Sequence, residues 1–533
     1  MTHRKGDIMQ QADKIIAYDL GTGGIKTSLY ETDGTSCANT FLQYDTWYRG
    51  TDIHEQKPMD WWRGIVQTTR NLLTKTNTSP ETVKGLAISG HSLGAVLIDA
   101  QGNLLTERSP IWSDKRAKKQ ADQFFGGTDY DRWYMTTGNG FPPECYTVFK
   151  IMWYRDEMPK LYEKADKVLG SKDFCNYLMT GRACTDNSYA SGSGVYSLKD
   201  RCYLDEYIRC SGIRPSLLPE ILPSHAVIGS LLPEAAKALG LTTETKVICG
   251  GVDNSCMALG ARGIRAGRSY TSLGSSSWIA VIDEEPILDV HYKPFVFDHC
   301  VEGLYTSATS IFAAGNGFRW VRDTICPDLK EKEAAGEIKD AYDEMNRMAA
   351  VSPVGANGLI FNPSLAGGAM IEESPDICGG YIGLNLGHTR NDLIRAAMEG
   401  ITYNLYYAMT ILKYYQPSVD EMLLVGGCAK SAFWRQMFAD VFSMKMIKTV
   451  IDQDAASLGA AALAAYGLGY WDSYDRIDVL HTIESESIPD ETVSGAYQMY
   501  YRLHRDFAHY LALMGTQLHA ENRLLKQKTG EIT

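Results

Sequence analysis

Asp19 follows the apolar run Ile15-Ile16-Ala17-Tyr18 and stands one residue before Gly21-Thr22-Gly23-Gly24. A carboxylate at the mouth of a glycine turn repels a phosphate chain unless a divalent cation lies between them. Mg²⁺–ATP meets that condition. Asp19 would orient the hydrated metal while the backbone of Gly21, Thr22 and Gly23 approaches the phosphates. Taken alone, the segment is read equally well as a hairpin with a solvated aspartate. Lys26, on the strand leaving the turn, is expected among the nucleotide contacts. The turn is not G-x-G-x-x-G, and no G-x-x-x-x-G-K-[ST] occurs in the chain, which argues against dinucleotide and P-loop folds.

Three later segments carry the same kind of chemistry. Val247-Ile248-Cys249 runs into Gly250-Gly251-Val252-Asp253-Asn254, which puts a carboxylate where backbone and ligand can approach closely. Asp253 is therefore a candidate general base and a second metal ligand. The competing reading makes it a helix N-cap with Asn254. Ser272-Leu273-Gly274-Ser275-Ser276 offers a second small-residue turn for phosphate, with Gly274 and Ser275 as contacts. Leu423-Leu424-Val425 precedes Gly426-Gly427-Cys428-Ala429-Lys430-Ser431, where an adenine could lie on the glycine backbone near Ser431. A structural strand-to-helix turn would look much the same.

These residues need elements to hold them. Strand, glycine turn and returning strand occur at residues 15–30 and again at 269–282, about 250 residues apart. That spacing indicates two related halves rather than a short-period solenoid. We place them at 12–260 and 261–515, packed around a cleft, in an α/β fold. Trp61–Leu73 has helical spacing after Pro58 and Asp60, and Trp61-Trp62 reads as its pin to the first half. Long helical patterns cover Asn391–Tyr415 and Ser494–Leu524.

Composition narrows the classes. With 533 residues, 44% hydrophobic and 22% charged, the chain has globular proportions and room for two or three domains. Fifty-two Lys plus Arg against 64 Asp plus Glu give a formal charge of −12, which opposes general binding to nucleic acid or an anionic membrane. No apolar stretch approaches bilayer length, and Met1–Asp13 lacks an apolar signal core. Twelve dispersed cysteines without a CxxC pair point to reduced thiols in a cytoplasm and no structural zinc.

Taken in order, five segments resemble the FGGY carbohydrate kinases. They are Asp19–Gly24, Gly250–Asn254, Ser272–Ser276, Gly426–Ser431 and Ala456-Ser457-Leu458-Gly459-Ala460-Ala461. Within that family the chain looks most like the xylulokinases. Ile111-Trp112-Ser113-Asp114-Lys115-Arg116 resembles their Trp-x-Asp-x-Arg segment, and Thr137-Gly138-Asn139, Lys150, Lys172-Asp173-Phe174 and Thr180–Asp186 follow their pattern. The resemblance implies two ribonuclease-H-like, actin-type domains with ATP and sugar meeting in the cleft. Asp253 then matches the catalytic base and Asp19 the magnesium-organising carboxylate. Gly274 and Ser275 match the second phosphate loop, Gly427 and Ser431 the adenine side, and Gly315 a further nucleotide contact. Trp112, Asp114 and Asn254 fall where the family places sugar contacts.

One departure stands out. Where xylulokinases carry Gly-Gln-Met-His-Gly, this chain has Gly90-His91-Ser92-Leu93-Gly94. His91 and Ser92 are read as reshaped sugar contacts, with a packed histidine at a strand end as the alternative for His91. The expected activity is ATP- and Mg²⁺-dependent phosphorylation of a primary hydroxyl of a ketopentose or related polyol. The expected partner is a small sugar, with no nucleic acid and no membrane, and a homodimer is left open. An actin- or chaperone-like ATPase, driving partner binding on the same fold, is the rival.

Overall fold

The computed structural model describes residues 12–529 apart from 275, 276, 312, 369, 370 and 453, and leaves out the side chains of 428, 523, 524 and 526–529. Ser275, an expected phosphate contact, lies outside the described residues.

The first sheet begins with a meander: β1 (Lys14–Leu20), β2 (Gly24–Glu31) and β3 (Ser36–Gln43). The β2–β3 turn closes at Asp33-Gly34, where the Asp33 carboxylate accepts the Thr35 N–H at 2.9 Å. β4 (Val83–Gly90) lies parallel to β1 on its other side, followed by β5 (Val227–Ser230), β6 (Lys246–Ile248) and the short β7 (Gly251–Val252). The order is β5-β6-β4-β1-β2-β3, with β7 paired to β4. Helix α1 (Pro58–Thr76) covers the meander, burying Trp61, Ile65, Leu72 and Leu73, so the expected helix over 61–73 is observed with a turn added at its start.

The second sheet repeats the plan. β8 (Ser269–Leu273), β9 (Ser277–Asp283) and β11 (Tyr305–Ile311) form an antiparallel meander, with β10 (Phe295–Asp298) added outside. β12 (Glu421–Val425) lies parallel to β8, then come β13 (Lys445–Thr449) and β14 (Ile483–Ser487). In both sheets a three-strand meander adjoins two parallel strands and an antiparallel edge. The repeated plan matches the two related halves expected from the duplicated strand–turn–strand pattern, and it is the two-domain, actin-type fold that the family resemblance implied.

Two helices lock the halves together. α2 (Asp253–Gly260) leaves the first sheet, and α3 (Ala455–Gly467), alanine-rich and buried along most of its length, packs against it. A Cβ on Gly260 would sit 1.8 Å from the Ala455 carbonyl oxygen, and one on Gly459 would sit 2.0 Å from that of Cys256, so only glycine permits this crossing. Although it belongs to the second half of the chain, α3 buries Leu458 and Ala461 against Ile15, Ala17, Ala87 and Ile248 of the first sheet. A third aromatic-rich core, including Phe124, Trp133 and Phe149, fills the segment between β4 and β5. No described helix is long and apolar enough to cross a membrane.

Candidate functional site

The first glycine turn is held from outside by a closed set of hydrogen bonds. Tyr44 donates its hydroxyl to the Gly21 carbonyl, and Gln56 donates its amide to the Thr22 carbonyl (2.7 Å) and the Thr46 hydroxyl (2.7 Å). The Trp61 indole donates to the Gln56 amide oxygen at 2.9 Å, and the Trp112 indole to the Thr22 hydroxyl at 2.9 Å. Gln56 is fully buried with its amide engaged at both ends, so the turn does not depend on its own short sequence for shape.

Strand register sets the charge beside it. Asp19, at the end of β1, lies across from Lys26 on β2 and from Ser89 on β4. Burial raises the Asp19 carboxyl to about 6, opposed by the Ser89 hydrogen bond and the Lys26 charge. Asp253 is the first residue of α2, and its carboxylate accepts the N–H of Asn254 at 2.8 Å. That is one residue inside the cap position, which Val252 occupies without a side-chain bond, so the N-cap reading does not describe it. Gly250 makes the approach possible: its φ is +75°, and a Cβ there would lie 2.2 Å from the Ile88 carbonyl oxygen. Burial first, and the Asp19 carboxylate second, push Asp253 up to about 7.

Two carboxylates that disfavour each other's ionisation, at the cleft, form an oxygen donor set that suits a hard divalent cation. Among the described residues no cluster of three or more His, Cys, Asp or Glu could hold a metal. Magnesium held by one or two carboxylates, with phosphate and water completing its shell, fits this arrangement.

Two cavities meet at the β8–β9 hairpin. The first, about 340 Å³, is lined by Leu273, Gly274, Gly315, Gly427 and Ser431, so four expected nucleotide residues come together. Ser431 caps the helix Ala432–Phe442 by accepting the Trp434 N–H at 3.2 Å. A Cβ on Gly427 would meet no protein atom within 4 Å, leaving its backbone open to a flat ligand. Phe318, Arg319, Tyr342, Asn346 and Lys430 also line the wall, together with Asp340, Asp343 and Trp434. Sequence reasoning missed them. Phe318 and Arg319 stand three and four residues after Gly315, and that helical spacing was the available signal.

The second cavity, about 310 Å³, brings together Thr22, Ser92, Trp112, Asp253 and Asn254 of the expected residues. Ser272 and Ser277 join from the hairpin. Phe141, Trp278 and Phe295 were missed. Phe141 stacks on Phe295 with centroids 4.0 Å apart and planes at 18°, joining a first-half loop to a second-half strand. No linear motif announces such a pair.

Other expected residues line neither cavity. His91 is buried edge-on against Trp61 at 5.2 Å, and neither ring nitrogen makes a hydrogen bond among the described residues. Burial, then the Lys150 charge, lower it to about 4, so it is neutral, and its packed reading describes the position. Asp114 is wholly buried and accepts from Arg116 (2.7 and 2.8 Å) and the His54 N–H (2.7 Å), which orients the segment behind Trp112. Lys26 pairs with Asp454 at 2.5 Å, across the two halves. Asp19, Gly21 and Gly23 form the strand end and turn around Thr22.

Comparison with known proteins agrees with this geometry. The model of the FGGY family of carbohydrate kinases, N-terminal domain, matches residues 14–260, and the C-terminal domain model matches 269–468. A xylulose kinase of Bacillus subtilis is 31% identical over 87% of this chain and 90% of its own length. A gluconokinase of Bacillus licheniformis is 26% identical over 96% and 99%. The crystal structure of a xylulose kinase from Rhodospirillum rubrum superposes with a TM-score of 0.85 at 25% identity, covering 94% of this chain and 100% of that one. Kinase relatives align along nearly the whole chain, which sets aside the partner-driven ATPase, and the chain belongs to the FGGY family of carbohydrate kinases, ATP-dependent sugar kinases.

Proposed function

We propose that this kinase phosphorylates a primary hydroxyl of a neutral ketopentose or closely related polyol, with xylulose foremost. The observation that carries the reading is the lining of the Asp253 cavity. Among the described residues, its lining holds hydroxyl, amide and aromatic groups, a single carboxylate, and no cationic side chain. A sugar acid would bring its own carboxylate beside Asp253 with no cationic side chain of the described lining to pair with it, which buried sites penalise heavily. Aromatic faces of Trp112, Phe141, Trp278 and Phe295 suit the C–H surfaces of a sugar, while Ser92, Asn254 and the serines suit its hydroxyls.

In this mechanism the nucleotide occupies the Gly274–Gly315–Gly427–Ser431 cavity, and its phosphates extend past the β8–β9 hairpin toward Thr22. Asp253 accepts the proton of the sugar hydroxyl as that oxygen attacks the γ-phosphorus in line and ADP leaves. Backbone N–H groups of the two turns stabilise charge on the transferring group. Asp19 and Asp253 would hold Mg²⁺, which would supply neutralisation of phosphate charge when bound. Movement of the halves about the α2–α3 crossing excludes water and favours transfer over hydrolysis. The reading includes a division at 12–260 and 261–515, a cytoplasmic setting, and assembly as a homodimer or monomer.

The test is a coupled ADP-release assay with xylulose, ribulose, xylitol, erythritol and gluconate. Neutral five-carbon substrates are expected to give the highest kcat/KM and gluconate the lowest. Gluconate as the best substrate would overturn the assignment.

The pH dependence follows from the carboxylates. A base raised to about 7 is protonated below that pH and cannot accept a proton, so kcat at saturating sugar should climb from pH 5.5, pass half its maximum near pH 7 and then level off. Because Asp19 is the second cause of that rise, Asp19→Asn should move the acid limb of its residual activity to lower pH. An unmoved limb in Asp19→Asn would dissociate the two carboxylates.

A further inference from the structure

Lys150, on the helix Thr147–Glu157, is wholly buried, and among the described residues it makes no ion pair. Its ammonium donates instead to three main-chain carbonyls: Leu93 at 2.8 Å, Ile111 at 2.7 Å and Cys145 at 2.7 Å. All three N–H donors of a lysine are thereby used.

Each carbonyl belongs to a different segment, and each segment continues into the wall of the Asp253 cavity. Leu93 lines it directly beside Ser92. Its φ of +59° is a left-handed conformation that a leucine rarely adopts and that surrounding structure must hold. Ile111 precedes Trp112. Cys145 precedes Tyr146, whose hydroxyl accepts the Phe141 N–H at 2.8 Å. One buried cation thus ties together the backbone that presents Ser92, Trp112 and Phe141.

We propose that Lys150 is a positioning residue for sugar recognition, clamping three loops so that sugar affinity depends on it and nucleotide affinity does not. The inference rests on reading this cavity as the sugar site. None of the three loops contributes to the cavity lined by Gly315, Gly427 and Ser431, so the effect is confined to one substrate.

The surroundings also make the clamp sensitive to pH. Burial lowers Lys150 to about 8, opposed by Cys145 and Asp114 and reinforced by Arg116. Of the groups facing it, His91 is neutral and the Cys145 thiol is pushed up to about 11, while Asp114 and Arg116 neutralise each other as an ion pair. A neutral amine offers two N–H donors to three carbonyls, so the clamp weakens as pH rises through about 8.

Steady-state kinetics with Mg–ATP and the sugar that the wild type turns over best provide the test, on wild type, Lys150→Met and Trp112→Ala. Lys150→Met is expected to raise sugar KM about tenfold or more, as lost hydrogen bonds from a charged donor would, with ATP KM within about twofold. Wild-type sugar KM should rise between pH 7 and 9.5 while ATP KM stays level, and Lys150→Met should lose that rise. A sugar KM unchanged in Lys150→Met, or sugar and ATP KM rising together, overturns the proposal. If Lys150→Met does not fold, the wild-type pH scan decides, and a level sugar KM overturns it. Trp112→Ala separates the two readings. If it raises sugar KM while Lys150→Met does not, only the positioning role fails. If it leaves sugar KM unchanged, the cavity assignment itself fails.

Discussion

Asp253→Ala is expected to lose about 10²–10⁴-fold in kcat, the usual worth of a positioned general base. At about 1.36 kcal/mol per tenfold, this is about 3–5 kcal/mol of barrier. The first cavity, proposed for the nucleotide, is built from other residues, so metal-free ATP affinity should change little by comparison. Stability supplies the contrast. The carboxyl is raised to about 7 from an ordinary 3.8, so the folded state holds its proton more tightly than the unfolded chain. Folded stability therefore falls as pH rises between these values, and above about 7 the ionised group is a full burden. Asp253→Asn at pH 8 should accordingly melt at the same or a higher temperature than wild type while kcat collapses. A capping residue would behave the other way, with a lower melting temperature and turnover kept. Retained kcat in Asp253→Ala sinks the catalytic role.

Asp19→Asn is the second large effect. The amide keeps the side-chain shape and the contact with Ser89, which donates to Asp19 at 3.3 Å, but removes the charge that faces a cation. Loss of one preorganised electrostatic group at a phosphoryl-transfer site typically costs about 10²–10³-fold in kcat. The deficit at low Mg²⁺ should shrink as Mg²⁺ is raised, because weaker metal affinity is offset by mass action. The fold should survive, since a buried carboxylate raised to about 6 contributes no stability at neutral pH. Wild-type turnover in Asp19→Asn at ordinary Mg²⁺ would remove the metal role.

Much of the architecture was legible in the residues themselves. Apolar runs ended by glycine turns at 15–24 and 269–276 mark the two hairpins, and their repetition predicted two halves with the same sheet plan. The nucleotide side was equally readable. Gly274, Gly315, Gly427 and Ser431 sit on strand ends and helix starts, where local sequence dictates backbone shape. The sugar side was legible only in part. Ser92, Trp112, Asp253 and Asn254 converge as expected, yet His91 and Asp114, whose types suggested sugar contacts, are turned into packing and ion-pair duty by Trp61 and Arg116.

The division has a physical cause. Local sequence by itself determined the glycine turns proposed for phosphate, because glycine permits backbone shapes other residues cannot adopt, and determined the strand end that presents Asp19. Tertiary structure alone decided which side chains share the Asp253 cavity. Phe141 meets Phe295 across about 150 residues of chain, and Lys150 reaches carbonyls at 93, 111 and 145. Only the tertiary structure, too, brought the Ala455–Gly467 helix onto the first sheet, because the helix is apolar almost all round and its sequence alone names no partner. Side chains that are buried by distant segments take their roles from those segments, and no spacing along the chain encodes which of them will arrive.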